Sequence, residues 1–153
     1  MADIDRIKNE MNHLLTSELV PVIKAERMEN NDLLWKVVFK GLEETAYEDG
    51  IFTLEFIFPS NYPKQGPEAK FITKMFHPNV RTSDQHVCIN LLNSWDNNRT
   101  IEDVLLGIFD IMMNPVTNGA YDNEARDLLG KDPDKYYDKV EEYTYQYAQK
   151  ECY

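Results

Sequence analysis

At 153 residues, 42% of them hydrophobic and 12% aromatic, the chain is long enough for one ordinary domain over residues 1–153 and too short for two. Lys and Arg number 16 against 27 Asp and Glu, and the net charge of -11 argues against a surface that tracks nucleic-acid phosphates or anionic lipid. No apolar run approaches the ~18 to 20 residues of a membrane span, and Met1 to Leu15 carries charges where a signal peptide is apolar, so a cytoplasmic or nuclear monomer is expected.

Ile4, Ile7, Met11, Leu14 and Leu15 recur at helical spacing behind Asp3, a suitable N-cap, which predicts an opening amphipathic helix of about three turns. Val20 to Met28, Leu33 to Lys40 and Ile51 to Phe58 are rich in β-branched and aromatic residues. In the last of these Phe52, Leu54, Phe56 and Phe58 alternate with their neighbours, and all three read as strands. Gly41 and the acidic stretch from Glu43 to Gly50 supply turns, and Ala69 to Ile72 adds a short fourth strand to an antiparallel meander.

From Thr73 to Arg99 no period of 2 or 3.6 persists, yet Phe76, Val87, Ile89, Leu91, Leu92 and Trp95 are too apolar for a solvated linker. A long, packed, irregular loop inside a compact domain is usually functional, which makes it the first place to look for chemistry. Thr100 with Asp103 then resembles a capping box, followed by a helix whose Ile101, Val104, Leu105, Ile108 and Met112 share a face and which stops before Pro115. Asp122 to Leu129 reads as a short helix closed by Gly130, and Asp132-Pro133 starts a last one with Tyr136, Val140, Tyr143 and Tyr147 on its buried side. The architecture is α+β: a helix, a four-stranded antiparallel meander, a long irregular loop that holds the site, and three helices.

Two cysteines, Cys88 and Cys152, allow at most one bridge, and the second lies one residue from the chain end, where order is usually poor. Neither stands in a C-x-x-C pair, and His13, His77 and His86 add no ligand cluster, so no metal is expected. Within the loop lie His77-Pro78-Asn79 and, nine residues after the asparagine, Cys88 in His86-Val87-Cys88. From residue types alone two readings stand. One is a hydrolase whose imidazole activates the thiol, which needs a base held within hydrogen-bond reach; the other is a buried cysteine beside a turn-forming His-Pro-Asn.

Taken together, the chain resembles the ubiquitin-conjugating enzymes from its first helix to about Ala148. The resemblance is carried by Trp35 leading to Gly41, a Tyr47-x-x-Gly50 turn, Phe58-Pro59 with Asn61-Tyr62-Pro63, then His77-Pro78-Asn79, Cys88, Leu91-Leu92, Trp95 and Thr100-Ile101 in family order. It implies that Cys88 accepts the C-terminal glycine of ubiquitin, or of a ubiquitin-like protein, as a thioester from an activating enzyme. That enzyme consumes the ATP, so no cofactor is expected here. It implies too that Asn79 donates to the oxyanion or braces the loop, and that His77 supports it.

The departures from the family pattern are informative. The acids that often orient an incoming lysine are replaced by Asn90 and, by gap-adjusted matching, Gly119, as in family members that hand cargo to a cysteine of a HECT or RBR ligase. An asparagine at the first of these positions also occurs in the enzyme for the Nedd-type modifier. The ligase-facing loops read Pro63-Lys64 where an aromatic is common and Trp95-Asp96-Asn97 where Trp-Ser-Pro is common, leaving the class of ligase open. On the first helix, Arg6 and Lys8 are the bases that would face an activating enzyme. A catalytically silent binding variant of the same fold is the alternative, and such variants characteristically lack the cysteine.

Overall fold

The computed structural model describes residues 1–152. Helix α1 spans Ile4–Thr16; the Asp3 carboxylate accepts the Arg6 N–H at 3.1 Å, and Ile7, Met11 and Leu14 are buried. Satisfying one of the free N–H groups of the first turn is what starts the helix at this point. Strands β1 (Val22–Met28), β2 (Asn31–Lys40), β3 (Ile51–Ile57) and β4 (Glu68–Phe71) form an antiparallel sheet in the order β1-β2-β3-β4. Register pairs Trp35 with Phe56, Val37 with Leu54 and Phe39 with Phe52, so the alternating side chains of both strands enter one core. At the β2–β3 turn the Gly50 N–H donates to the Tyr47 carbonyl at 3.0 Å. A Cβ on Gly41 would stand 1.8 Å from that same carbonyl oxygen, so only glycine fits there.

The region between β4 and the next long helix contains one turn of helix, α2 (Asn90–Asn93), which was too short to give a period. Helix α3 (Ile101–Met113) opens on the capping box of Thr100 and Asp103 and is buried along Ile101, Val104, Leu105, Ile108, Phe109, Ile111 and Met112. Helix α4 (Asn123–Lys131) does not end at Gly130. It runs on to Asp132, whose N–H donates to the Leu128 carbonyl at 2.8 Å and whose carboxylate accepts the Lys135 N–H at 3.2 Å. One residue therefore closes α4 and opens α5 (Pro133–Tyr147), and glycine, though a poor helix former, is carried through. On α5 the fully buried line is Tyr136, Val140 and Thr144, while Tyr143 and Tyr147 are half-buried beneath the Lys74 ammonium, 5.8 and 5.1 Å from their ring centres.

Glu151 and Cys152 are held in place, contrary to expectation for a cysteine at that position. The Cys152 N–H donates to Thr53 Oγ1 at 3.0 Å and its Sγ lies 3.6 Å from Thr73 Oγ1. The Glu151 carboxylate binds Lys24 at 2.9 Å and also pairs with Lys36, which is only 5% exposed. An ammonium buried to that degree needs a counter-charge, and Glu151 joins Glu26 in supplying one, which draws the tail across the outer face of the sheet. Among the described residues no helix is long and apolar enough to cross a membrane.

Candidate active site

The segment after β4 turns back on itself and hydrogen-bonds to that strand. Val87 donates to the Ala69 carbonyl at 2.9 Å and Phe71 to the Gln85 carbonyl at 2.9 Å, so residues 85 to 87 lie along β4. A tight turn, with Gln85 N–H on the Arg81 carbonyl at 2.7 Å, brings Val80 opposite Val87 and Arg81 N–H onto the His86 carbonyl at 2.9 Å. One step further out, the Cys88 N–H donates to the Asn79 carbonyl at 2.9 Å. The nine-residue interval between Asn79 and Cys88 is the length of this hairpin, which sets the cysteine beside the His-Pro-Asn turn.

His77 is fully buried. Its Nε2 donates to the Ile111 carbonyl at 2.6 Å and its Nδ1 accepts the Asn79 N–H at 2.9 Å. Those two partners fix the neutral tautomer, and burial lowers the imidazole from its ordinary 6.5 to about 4. The ring ties the turn to α3. Asn79, 3% exposed, makes a two-point clasp: Nδ2 donates to the Val116 carbonyl and Oδ1 accepts the Val116 N–H, both at 2.9 Å. The loop after α3 is held against the cysteine hairpin in this way, and Tyr121 and Asp122 add N–H donations to the Pro78 carbonyl at 2.8 and 3.0 Å.

Cys88 is a half-buried free thiol on a cleft of about 190 Å³ bounded also by Asn79, Asn90, Asp110, Val116 and Gly119. Asn90 is the first residue of α2, and Gly119 has φ +71 with open space where a Cβ would stand. Asn90 and Gly119 thus share one cleft with the cysteine. No imidazole hydrogen-bonds to the thiol among the described residues. His77 is spent on Ile111 and Asn79, and His86 has a buried Nδ1 without a partner and packs on the Tyr121 ring, centres 6.2 Å apart. The structure therefore lacks the held base that a thiol hydrolase requires.

A second assembly joins Pro63 and Trp95 to the first helix. Trp95 Nε1 donates to the Pro63 carbonyl at 2.9 Å, and a Cβ on Gly66 would come within 2.7 Å of the Trp95 ring, so glycine lets that loop lie flat on the indole. Tyr62, fully buried, donates its hydroxyl to Glu10 at 2.6 Å, and the second Glu10 oxygen accepts the Ile101 N–H at 2.9 Å. Lys64, Asp96 and Asn97 stay exposed at the rim. Arg6 is not a free base on the surface: its guanidinium donates to the Asn97 and Arg99 carbonyls at 2.8 and 2.6 Å and to Glu10 at 3.2 Å. Open carbonyls in an irregular loop demand donors, and Arg6 meets that demand. Lys8, 4.0 Å from Asp32, remains on the outer surface.

Three participants carried no sequence signal. Val116 acts through its backbone, and Glu10 looks like any acid on a helix face. Tyr121 follows no motif. Its ring lies beneath the Arg81 guanidinium at 5.2 Å and beside His86.

A family profile described as ubiquitin-conjugating enzyme matches residues 6–144. The chain is 34% identical over 137 residues to ubiquitin-conjugating enzyme E2 13 of Saccharomyces cerevisiae, covering 89% of each protein. It is 32% identical over 125 residues to ubiquitin-conjugating enzyme E2 pex4 of Dictyostelium discoideum, covering 81% of this chain and 84% of that one. The fold superposes on the E2 domain of a Toxoplasma gondii ubiquitin conjugating enzyme with TM-score 0.85 at 26% identity, covering 94% of this chain and 98% of the other.

Proposed function

This chain belongs to the ubiquitin-conjugating enzymes, a family of transferases, and on that premise we propose that Cys88 carries ubiquitin as a thioester and passes it to a ligase cysteine or a substrate lysine. The observation that carries this reading is the placement of the one thiol on the cleft, clamped through its own N–H to Asn79 and left without a basic partner. Transfer between thiols nearly conserves bond energy. The incoming thiolate attacks the thioester carbonyl, a C–S bond forms, the electron pair moves to oxygen, and its return expels the other sulfur as thiolate. Such a step needs placement and oxyanion stabilisation more than a strong base, in keeping with a rigid backbone frame around an unassisted cysteine.

In this mechanism His77 and Asn79 hold the frame. A neutral imidazole bridges the turn to α3, and the Asn79 amide locks the next loop in register with the hairpin. The clasp on Val116 favours the bracing role of Asn79 over direct donation to the oxyanion. The partners are an activating enzyme that spends ATP to deliver the cargo, ubiquitin itself, and a ligase that meets the rim of Pro63, Lys64, Trp95, Asp96 and Asn97. A cysteine in its family position and on the cleft supports the conjugating enzyme over a silent binding variant.

Incubation with activating enzyme, ATP and ubiquitin, read on a non-reducing gel, tests the proposal, with the Nedd-type modifier and its own activating enzyme as a parallel arm. A shifted band that vanishes with thiol, needs ATP, and is absent in Cys88→Ala is expected with ubiquitin. Charging only by the other modifier would reassign the cargo, and a band that survives Cys88→Ala would overturn the site. Cys152→Ser is expected to charge as the wild type does, since the tail docks on the sheet at Thr53 and Thr73 and Cys152 does not border the cleft.

A further inference from the structure

We propose that residues 149–152 form a displaceable strap over the outer face of the sheet, and that the surface beneath it docks an extended acidic segment of a partner protein. Cys88 takes no part in it. Two side chains are buried on the side of the sheet that should be wet. Trp35, Val37 and Phe39 of β2 and Phe52, Leu54 and Phe56 of β3 belong to the core, so by the two-residue period of a strand Val38 and Thr53 point away from it. They stand opposite each other in register, yet Val38 is 1% and Thr53 0% exposed.

The cover is the chain beyond α5. The Ala148 carbonyl accepts the Ile51 N–H at 2.8 Å at the start of β3, and the Cys152 N–H then donates to Thr53 Oγ1 at 3.0 Å. Between these points the Glu151 carboxylate bridges two ammonium groups, Lys24 at 2.9 Å through one oxygen and Lys36 through the other. The hold is local and light. Residues 149–152 belong to no strand or helix, and Gln149 and Lys150 are exposed. A short segment fastened at its far end by one backbone donor and one carboxylate opens at far lower free energy than the sheet beneath it.

What the strap supplies defines what can replace it. Lys36 is 5% exposed, and Glu26, 3.3 Å away, shares its charge with Glu151, so an incoming segment has to bring a carboxylate to the place that Glu151 leaves. It also has to be extended, with a free backbone N–H for Thr53 Oγ1. A neutral or basic segment meets neither Lys24 nor Lys36 with the opposite charge. Because the strap is tethered, it competes at an effective concentration near millimolar, so the free chain presents a closed face that a partner has to open.

Chains carrying Cys88→Ala, in which Cys152 is the one thiol, test this by two readouts: the rate at which a maleimide labels Cys152, and the fluorescence polarisation of a labelled peptide copying residues 145–152 with Cys152→Ser. Glu151→Lys sets a third cation beside Lys24 and Lys36. It is expected to label about 10- to 100-fold faster than its parent, the range for losing a hydrogen bond between charged groups, and to bind the peptide about tenfold more tightly or better. A peptide carrying Glu151→Lys should bind neither chain. Thermal unfolding checks that the sheet stands, and Glu151→Gln serves as the second variant if Glu151→Lys does not fold. Adding Lys24→Glu to Glu151→Gln should cost the peptide its site. Labelling at the parent's rate would overturn the strap, and equal peptide binding by the parent and the released chain would overturn the masking. Peptide binding by neither chain, or binding that survives Lys24→Glu, would overturn the docking surface.

Discussion

The two sides of Cys88 spend their polar groups differently. Behind the cysteine, His77 and Asn79 are at most 3% exposed, and their side chains make four hydrogen bonds to backbone groups of Asn79, Ile111 and Val116. In front, Asn90, Asp110 and Gly119 open on the cleft. The contrast separates two jobs. On the proposed function, a transfer between thiols asks for reactants held in place, which the closed side would supply, whereas the open side, with Asn90 and Gly119, would face the incoming nucleophile.

The largest effect expected from breaking the contrast comes from opening the closed side. Asn79→Ala removes both points of the Val116 clasp and leaves a backbone N–H and C=O near the cleft without partners, at a cost of about 1–3 kcal/mol in stability. Because the loop that carries Gly119 then loses its register, charging and discharge should both slow, by about 100-fold, the cost of misplacing reacting groups by about 1 Å. Rapid charging combined with slow discharge would instead give Asn79 the oxyanion role and dissolve the division between the two sides.

A smaller effect follows from the buried imidazole. His77 has its pKa lowered to about 4 in the fold, against 6.5 when exposed, so below pH 6.5 the unfolded chain takes up a proton that the folded one refuses. The contribution of the neutral ring is therefore whole above pH 6.5 and is lost as the pH falls toward 4, by about 3 kcal/mol at about 1.4 kcal/mol per pH unit. Denaturant midpoints of the wild type and His77→Gln measured from pH 7 to pH 4 isolate the effect, because the carboxylates common to both cancel in the difference. The stability gap between the two proteins should change in the variant's favour by that amount. A gap constant with pH would mean that His77 titrates as it does in water and that the turn is open.

Much of this frame was legible in the residues themselves. The alternation of Phe52, Leu54 and Phe56 and the pairing of Thr100 with Asp103 state their structures locally, because a period of two and a capping box are decided within a few residues. What escaped was decided elsewhere in the chain. The four residues of α2 are shorter than any period, and the passage of α4 through Gly130 depends on Asp132 serving two helices at once. The docking of Glu151 depends on Lys36, more than 100 residues away, and the inward turn of Arg6 depends on carbonyls at Asn97 and Arg99. At the site, the likeness to the family pointed to Cys88, Asn79 and His77, but the clasp of Asn79 on Val116 runs to backbone groups, which no residue type announces.

The smallest effect is the one that bears on function most directly, because it concerns what the open side prefers. A cysteine thiol with a pKa of about 8.5 is already a few per cent thiolate at pH 7, whereas a lysine amine with a pKa of about 10.4 is less than about 0.1% neutral. Lysine therefore gains more from a carboxylate that helps it shed its proton, and neither Asn90 nor Gly119 provides one. The purified wild-type thioester should discharge to free cysteine much faster than to free lysine at matched concentration. Asn90→Asp and Gly119→Asp should each raise the lysine rate by roughly tenfold, a modest share of what acid–base assistance supplies, and leave the cysteine rate almost unchanged. The Gly119 substitution is sterically open, with nothing within 4 Å of the new Cβ, and its φ of +71 is one that aspartate tolerates better than most residues. Brisk lysine discharge by the wild type would break the comparison, because it would mean that the open side already holds an acid in working position, and Asp110 on the same cleft would be the group to substitute next.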